Sequence, residues 1–214
     1  MTMTRGSLAG LLLIAVHTFS CGVFTPPAMD LHSVDAPPPV SLAPVASLPE
    51  TPADPFAADI ARHLARYDTR LLAHELEALA RVIVSESRRH ELDPVLVLAV
   101  MQVESRYNTF ALSPVGAMGL MQVMPQTGEE TAARIGLPWY GAQTLFDPIV
   151  NVRIGVAYLK QLSDRYQNLP IALAAYNWGP TRIDRRLSRG WALPTEYPRL
   201  VNQAYGASPL ARSS

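Results

Sequence analysis

The sequence predicts an all-α domain, and three observations support this prediction. Apolar residues recur at three- and four-residue spacing from Leu71 to Ile83, as on the buried face of a helix. The pairs Asp93-Pro94 and Asp147-Pro148 each combine an N-cap with a proline at the first helical position. No stretch alternates apolar and polar residues over five or more positions, as a half-buried strand would. The chain has 214 residues, 49% of them hydrophobic, which allows one domain with appendages.

The first residues have the pattern of an export signal. Arg5 is followed by an apolar run from Leu8 to Val16, which is too short to span a bilayer, since a spanning helix needs about 20 residues. We therefore predict a signal peptide over residues 1–21. The alternative is a buried N-terminal helix.

The chain has a single cysteine, Cys21, just after that apolar run. One cysteine can form neither an internal disulfide nor a thiolate zinc site, and the histidines lack metal-ligand spacing, so we expect no metal and no cofactor. Ser20 suits a lipid-attachment signal, whereas Phe19 does not. Two alternatives stay open: a lipid anchor on Cys21, or ordinary signal cleavage nearby, for example after Ser20.

Residues 22–55 are rich in proline and contain Pro37-Pro38-Pro39. Because proline fixes φ and removes a backbone donor, this segment is predicted to be an extended linker. The folded domain is predicted over residues 56–206, with a short tail at 207–214. The 18 basic and 18 acidic residues balance, which makes a nucleic-acid partner a poor expectation.

Caps and prolines predict where the helices of this domain begin. The run from Val95 to Met101 is uninterrupted apolar, so we expect that helix to be buried on all sides. The predicted helices run from Asp68 to about Arg89, from Asp93-Pro94 onward, from Pro125 to Gly136 and from Asp147-Pro148 to about Tyr166, with short helices at Pro170, Pro180 and Pro194.

Glu104 ends the apolar helix and is the candidate catalytic residue. A carboxylate is costly to ionise in apolar surroundings, so its pKa should rise, as a general acid near neutral pH requires. Position alone is equally compatible with a Glu104 that points to solvent.

Two further segments have the composition of a carbohydrate site. The irregular stretch from Ser113 to Gln122 contains two glycines three residues apart, which allow unusual φ and close backbone approach. The stretch from Ala175 to Pro180 places Tyr176, Asn177 and Trp178 just before a helix breaker, and aromatic faces and amides commonly hold sugar rings. A plain helix connector and core packing are the respective alternatives.

Four segments in order resemble the catalytic domain of lytic transglycosylases, the goose-lysozyme-like enzymes of bacterial murein. They are Glu104-Ser105, SPVGAMGLMQVMP from Ser113 to Pro125, NVRIGVAYL from Asn151 to Leu159, and AYNWGP from Ala175 to Pro180. The resemblance covers about residues 75–206 and implies a compact, lysozyme-like helical fold.

The resemblance also implies roles for individual residues. The family's catalytic glutamate falls on Glu104. The implied substrate-binding residues are Ser105, Ser113, Gln122, Met124, Tyr176 and Asn177. The family usually has a small residue where Trp178 stands, so two roles for Trp178 stay open: extending a sugar platform, or filling a hydrophobic gap.

The implied activity is cleavage of the MurNAc–GlcNAc β-1,4 bond without water, which leaves 1,6-anhydromuramyl ends. Most glycosidases need two carboxylates, whereas here the substrate's own N-acetyl and C6 hydroxyl groups take part, so one carboxylate suffices. The alternatives are a hydrolytic lysozyme on the same fold and a non-catalytic peptidoglycan-binding or assembly module.

The resemblance implies a location and partners as well. The expected partners are peptidoglycan glycan strands, with cell-wall or secretion machinery as further possibilities. The expected location is the periplasm, with or without an outer-membrane tether through Cys21.

Overall fold

The computed structural model describes residues 54–212. The predicted signal peptide, Cys21 and almost all of the predicted linker lie outside the described residues. Within them, eight α-helices form the domain: α1 Pro55–Leu64, α2 Ala73–Arg89, α3 Pro94–Ser105, α4 Pro125–Ile135, α5 Pro148–Tyr166, α6 Leu169–Trp178, α7 Pro180–Ser188 and α8 Glu196–Ala207. Two short 3-10 helices span Ala142–Phe146 and Pro209–Arg212. This part of the chain has no strand, so the predicted all-α fold is confirmed.

The predicted caps open two of the longer helices. The side chain of Asp93 accepts a hydrogen bond from the amide of Val95 at 2.8 Å, at the start of α3. Asp147 does the same for the amide of Ile149 at 2.9 Å, at the start of α5. The prolines predicted to open α4 and α7 also do so, and α4 ends at a left-handed Gly136.

Two predicted helix starts are wrong. Asp68 does not cap α2, because the chain turns at Arg70 with φ of 64° before the helix begins. The first turn of α2 is held instead by Glu75, whose carboxylate accepts from the amide of Leu72 at 2.7 Å. Pro194 lies outside any helix, and α8 begins two residues later, since the fixed φ of proline suits an irregular approach to a helix as well as its first turn.

Helix α3 lies at the centre of the domain. Every side chain from Val95 to Met101 is buried, as predicted for an apolar helix. α3 packs against α2 and α8, and α5 packs against α2, α4 and α6, so helix packing alone builds the core. Within residues 54–212, no helix has both the length and the apolar character needed to cross a bilayer.

Candidate active site

Glu104 lies in the last turn of α3, where the buried helix meets the loop of residues 106–124. The helix ends here because Arg106 and Tyr107 both adopt positive φ, 53° and 65°. Glu104 is half-buried, and burial raises its pKa from 4.5 to about 7. The carboxyl group is therefore protonated in a large fraction of molecules at neutral pH, as general acid catalysis requires.

Two tyrosines flank Glu104. Tyr197, buried in the first turn of α8, donates its phenol hydrogen to Oε1 of Glu104 at 2.6 Å. This bond favours the ionised carboxylate and partly offsets the effect of burial on the pKa of Glu104. Burial, together with the charge of Glu104, raises the pKa of both Tyr176 and Tyr197 well above 10, so both phenols keep their protons.

Sequence reasoning missed Tyr197. It is separated from Glu104 by 93 residues and comes from a helix whose start was predicted two residues too early. No motif or spacing near Tyr197 indicates a partner for a carboxylate, because their contact depends on how α8 packs across α3.

Two predicted binding residues fasten the loop to the helices behind it. Ser105 donates from Oγ to the carbonyl of Leu120 at 2.8 Å. Tyr176 donates from its phenol to the carbonyl of Met121 at 2.8 Å. These two bonds fix the backbone of the loop beside Glu104, so both side chains help to shape the site.

Asn151 holds the same loop from α5. It is fully buried; its Oδ1 accepts from the amide of Met121 at 2.8 Å, and its Nδ2 donates to the carbonyls of Met118 at 2.9 Å and Leu145 at 2.8 Å. Gly119 lies against this amide with φ of 76°, and a Cβ there would come within 2.3 Å of Nδ2. This close approach is why the loop needs glycine at that position.

Ser113 and Gln122 bond within the loop. Oγ of Ser113 accepts from the amide of Ala117 at 2.9 Å. Gln122 has φ of 48°, and its Nε2 donates to the carbonyls of Ala111 at 3.1 Å and Gly119 at 2.9 Å. Both side chains therefore stabilise the irregular backbone that the glycines permit.

A cleft of about 360 Å³ lies beside Tyr176, between the loop, α5 and the corner from α6 to α7. Four of the predicted binding residues line it: Gln122, Met124, Tyr176 and Asn177. Trp178 lines it too and is 38% exposed, which places it on the rim. Glu104, Ser105 and Ser113 are not among the lining residues, although Glu104 is near enough to Tyr176 for its charge to raise the pKa of that phenol.

The larger groove of the domain and its other carboxylates are not part of this candidate site. A larger, more apolar groove of about 520 Å³ between α3, α6 and α8 contains none of the predicted site residues. Among residues 54–212, no second carboxylate contributes to the shifted pKa of Glu104. Glu129 and Glu130 are exposed on α4, and Asp147 caps α5.

The chain is similar to a known domain family and to several known proteins. The family model of the transglycosylase SLT domain matches residues 81–196. The chain is 39% identical over 99 residues to a putative soluble lytic murein transglycosylase of Haemophilus influenzae, covering 46% of this chain and 17% of that protein. It is 35% identical over 131 residues to a transglycosylase of Enterobacteria phage PRD1, covering 59% and 44%. The chain thus spans less than half the length of these relatives.

Membrane-bound relatives and solved structures are also similar. The chain is 36% identical over 129 residues to a membrane-bound lytic murein transglycosylase C of Klebsiella pneumoniae, covering 58% of this chain and 31% of that protein. A solved 70-kDa soluble lytic transglycosylase in complex with bulgecin A is 27% identical with a TM-score of 0.50, covering 70% of this chain and 28% of that one. The shared fold agrees with the helical domain described above.

Proposed function

The chain belongs to the transglycosylase SLT domain family, and from this premise we propose that it is a peptidoglycan lytic transglycosylase. It cleaves the β-1,4 bond between MurNAc and GlcNAc without water and leaves 1,6-anhydromuramyl ends. The observation that carries this proposal is Glu104, a half-buried carboxyl group with a pKa of about 7 and no second carboxylate contributing to that value among the residues described.

Protonated Glu104 acts first as an acid. It donates its proton to the glycosidic oxygen, the bond from that oxygen to C1 of MurNAc breaks, and GlcNAc leaves with a new C4 hydroxyl. The N-acetyl carbonyl oxygen of the same MurNAc bonds to C1 and takes the place that a second carboxylate has in most glycosidases.

Ionised Glu104 then acts as a base. It takes the proton of the muramyl C6 hydroxyl as O6 bonds to C1 and displaces the N-acetyl oxygen. The attack is intramolecular and has a high effective molarity, so water need not compete. Since Oε1 of Glu104 accepts from Tyr197, Oε2 is the oxygen that carries the transferred proton.

The cleft supplies the groups that hold the sugar. Asn177 presents an exposed amide, and Gln122, Met124 and Tyr176 form the wall beside it. Ser105 supports this wall indirectly, through its bond to Leu120 in the loop. In this proposal Ser113 contacts the glycan beyond the cleft.

The proposal extends to location and partners. The export pattern of residues 1–21 and the similarity to both soluble and membrane-bound relatives support a periplasmic enzyme, with Cys21 as its tether if it is lipidated. The mass of the mature N-terminus tests this: an acylated Cys21 supports the tether, and an unmodified start supports ordinary cleavage. Glycan strands are the proposed partner, and cell-wall or secretion machinery would bring the enzyme to them.

Digestion of purified peptidoglycan tests the activity. The mature protein is expected to release muropeptides with anhydromuramyl ends, identified by mass spectrometry. Glu104→Gln should reduce release by at least about 10³-fold, because it removes the only acid and base of the scheme. Glu129→Gln, an exposed glutamate on α4, is the matched control and should keep full activity.

The other outcomes distinguish the alternatives. Reducing ends would make the protein a hydrolytic lysozyme. Binding of peptidoglycan without any release, by protein with an intact helical circular dichroism spectrum, would favour a binding or assembly module.

A further inference from the structure

The corner between α6 and α7 carries a feature that the proposed reaction does not use. Gly179, with φ of 83°, joins the two helices and leaves Trp178 on the rim of the cleft. The guanidinium carbons of Arg182 and Arg186 lie 5.6 Å and 5.1 Å from the centre of the Trp178 ring. Such stacking orients a guanidinium group and limits the rotamers it samples.

Arg182 is the charged residue that lines the cleft. None of the ion pairs found among residues 54–212 includes Arg182. The nearest acid along its helix, Asp184, is already bound by Arg165 and by the phenol of Tyr166 at 2.8 Å. Arg186 also has a hydrogen-bond partner, since it donates to the carbonyl of Ala192 at 2.6 Å.

We propose that Arg182, stacked on Trp178, binds a carboxylate of the glycan strand and is a specificity-determining residue of the cleft. The planar guanidinium group matches a carboxylate with two parallel hydrogen bonds, whereas a neutral sugar ring gains no charge-assisted bond. Trp178 then serves as the platform that orients Arg182. This inference rests on the proposed function, because it takes the strand as the occupant of the cleft.

Two carboxylates of a strand have this chemistry. A strand that keeps its peptide stems presents the carboxylates of the stem, while its lactyl group is tied up in an amide. A strand stripped of its stems by an amidase presents the free lactyl carboxylate. A chito-oligosaccharide presents neither and is a neutral probe of the same cleft.

Steady-state kinetics with Arg182→Gln separates these cases. The variant should raise KM about tenfold on the strand that carries the recognised carboxylate and leave kcat within about twofold, since a charge-assisted bond is lost. The Ki of chitotetraose as a competitive inhibitor should not change. A rise confined to stem-bearing strands assigns the stem carboxylate, and a rise confined to stripped strands assigns the lactyl carboxylate. Arg185→Gln, exposed on the same helix, is the matched control.

Two supporting variants and the opposing results complete the test. Trp178→Leu should raise KM by about threefold on the same strand, and Arg182→Lys should recover part of the loss caused by Arg182→Gln. Unchanged KM on both strands overturns the proposal, as does an equal rise in KM on both strands and in Ki for chitotetraose. If the native protein releases no muropeptides, the proposed function fails. Binding of the same strands by the same variants, measured by sedimentation, then still decides the role of Arg182.

Discussion

Glu104 and Asn177 belong to the same candidate site but lie in opposite environments. Glu104 is half-buried at the end of an apolar helix, is bonded to Tyr197, and has a loop held by Asn151 beside it. Asn177 is exposed on the rim, next to Trp178. Burial thus prepares Glu104 for proton transfer by changing its pKa, whereas exposure keeps Asn177 free to bind a ligand.

Two asparagines provide the strongest test of this contrast. Asn151→Ala should lower the free energy of unfolding by about 3–5 kcal/mol, because it leaves one amide and two carbonyls of the buried network without partners. Asn177→Ala should change it by no more than about 0.5 kcal/mol, since its side chain is exposed. Urea unfolding followed by circular dichroism measures both.

The same pair differs in catalysis. Asn177→Ala should raise KM without unfolding the protein, and Asn151→Ala should lower kcat as the loop beside Glu104 loosens. Equal free energies of unfolding for the two variants would contradict the contrast between the buried surroundings of Glu104 and the exposed position of Asn177.

Glu104→Gln should stabilise the protein at high pH. The pKa of Glu104 is about 7 in the folded state against 4.5 in the unfolded state, so ionisation opposes folding. This penalty is absent below pH 4.5, grows between pH 4.5 and 7, and is complete above pH 7. The variant should therefore gain about 3 kcal/mol at pH 8 and nothing at pH 4.

The measurement is urea unfolding of both proteins at each pH, with Glu129→Gln as the control for removing an exposed charge. A gain that is the same at pH 4 and pH 8 would mean that the titration of Glu104 is not its cause.

Tyr197→Phe should have the smallest effect of these substitutions, and it tests how the buried surroundings of Glu104 set the pKa of its carboxyl group. Removing the phenol removes a donor that favours ionised Glu104, so the pKa of Glu104 should rise further. Activity that requires protonated Glu104 should then extend to higher pH on the alkaline side of the rate profile. A profile that stays in place, or moves to lower pH, would show that Tyr197 does not hold the carboxylate.

The features that depend on residues adjacent in the sequence could be predicted from the sequence alone. Asp93 and Asp147 cap their helices because an aspartate and a proline act within one turn. The burial of α3 follows from seven consecutive apolar residues, Val95–Met101. The raised pKa of Glu104 could be predicted only as one of two alternatives, because its place just after that run is equally compatible with a side chain in solvent, and packing decides that it is buried.

The features that depend on packing could not be predicted. Asp68 has the side chain of an N-cap, yet the turn at Arg70 delays α2. Tyr197 reaches Glu104 only because α8 packs against α3. The three bonds of Asn151 join segments that are far apart in the sequence, so its place in the NVRIGVAYL motif does not reveal them.

The loop before α4 is fastened unevenly between Leu112 and Gln122. From Met118 to Met121 its backbone is bonded to side chains of α3, α5 and α6, whereas from Leu112 to Gly116 its bonds run only within the loop. Val115 in this second part is 75% exposed and lines the cleft. Bond cleavage and substrate preference can therefore evolve separately in one short segment. A library that randomises Leu112, Pro114 and Val115 would change what enters the cleft while leaving the backbone beside Glu104 in place. It keeps Ser113, whose Oγ accepts from the amide of Ala117, and Gly116, with its φ of 88°.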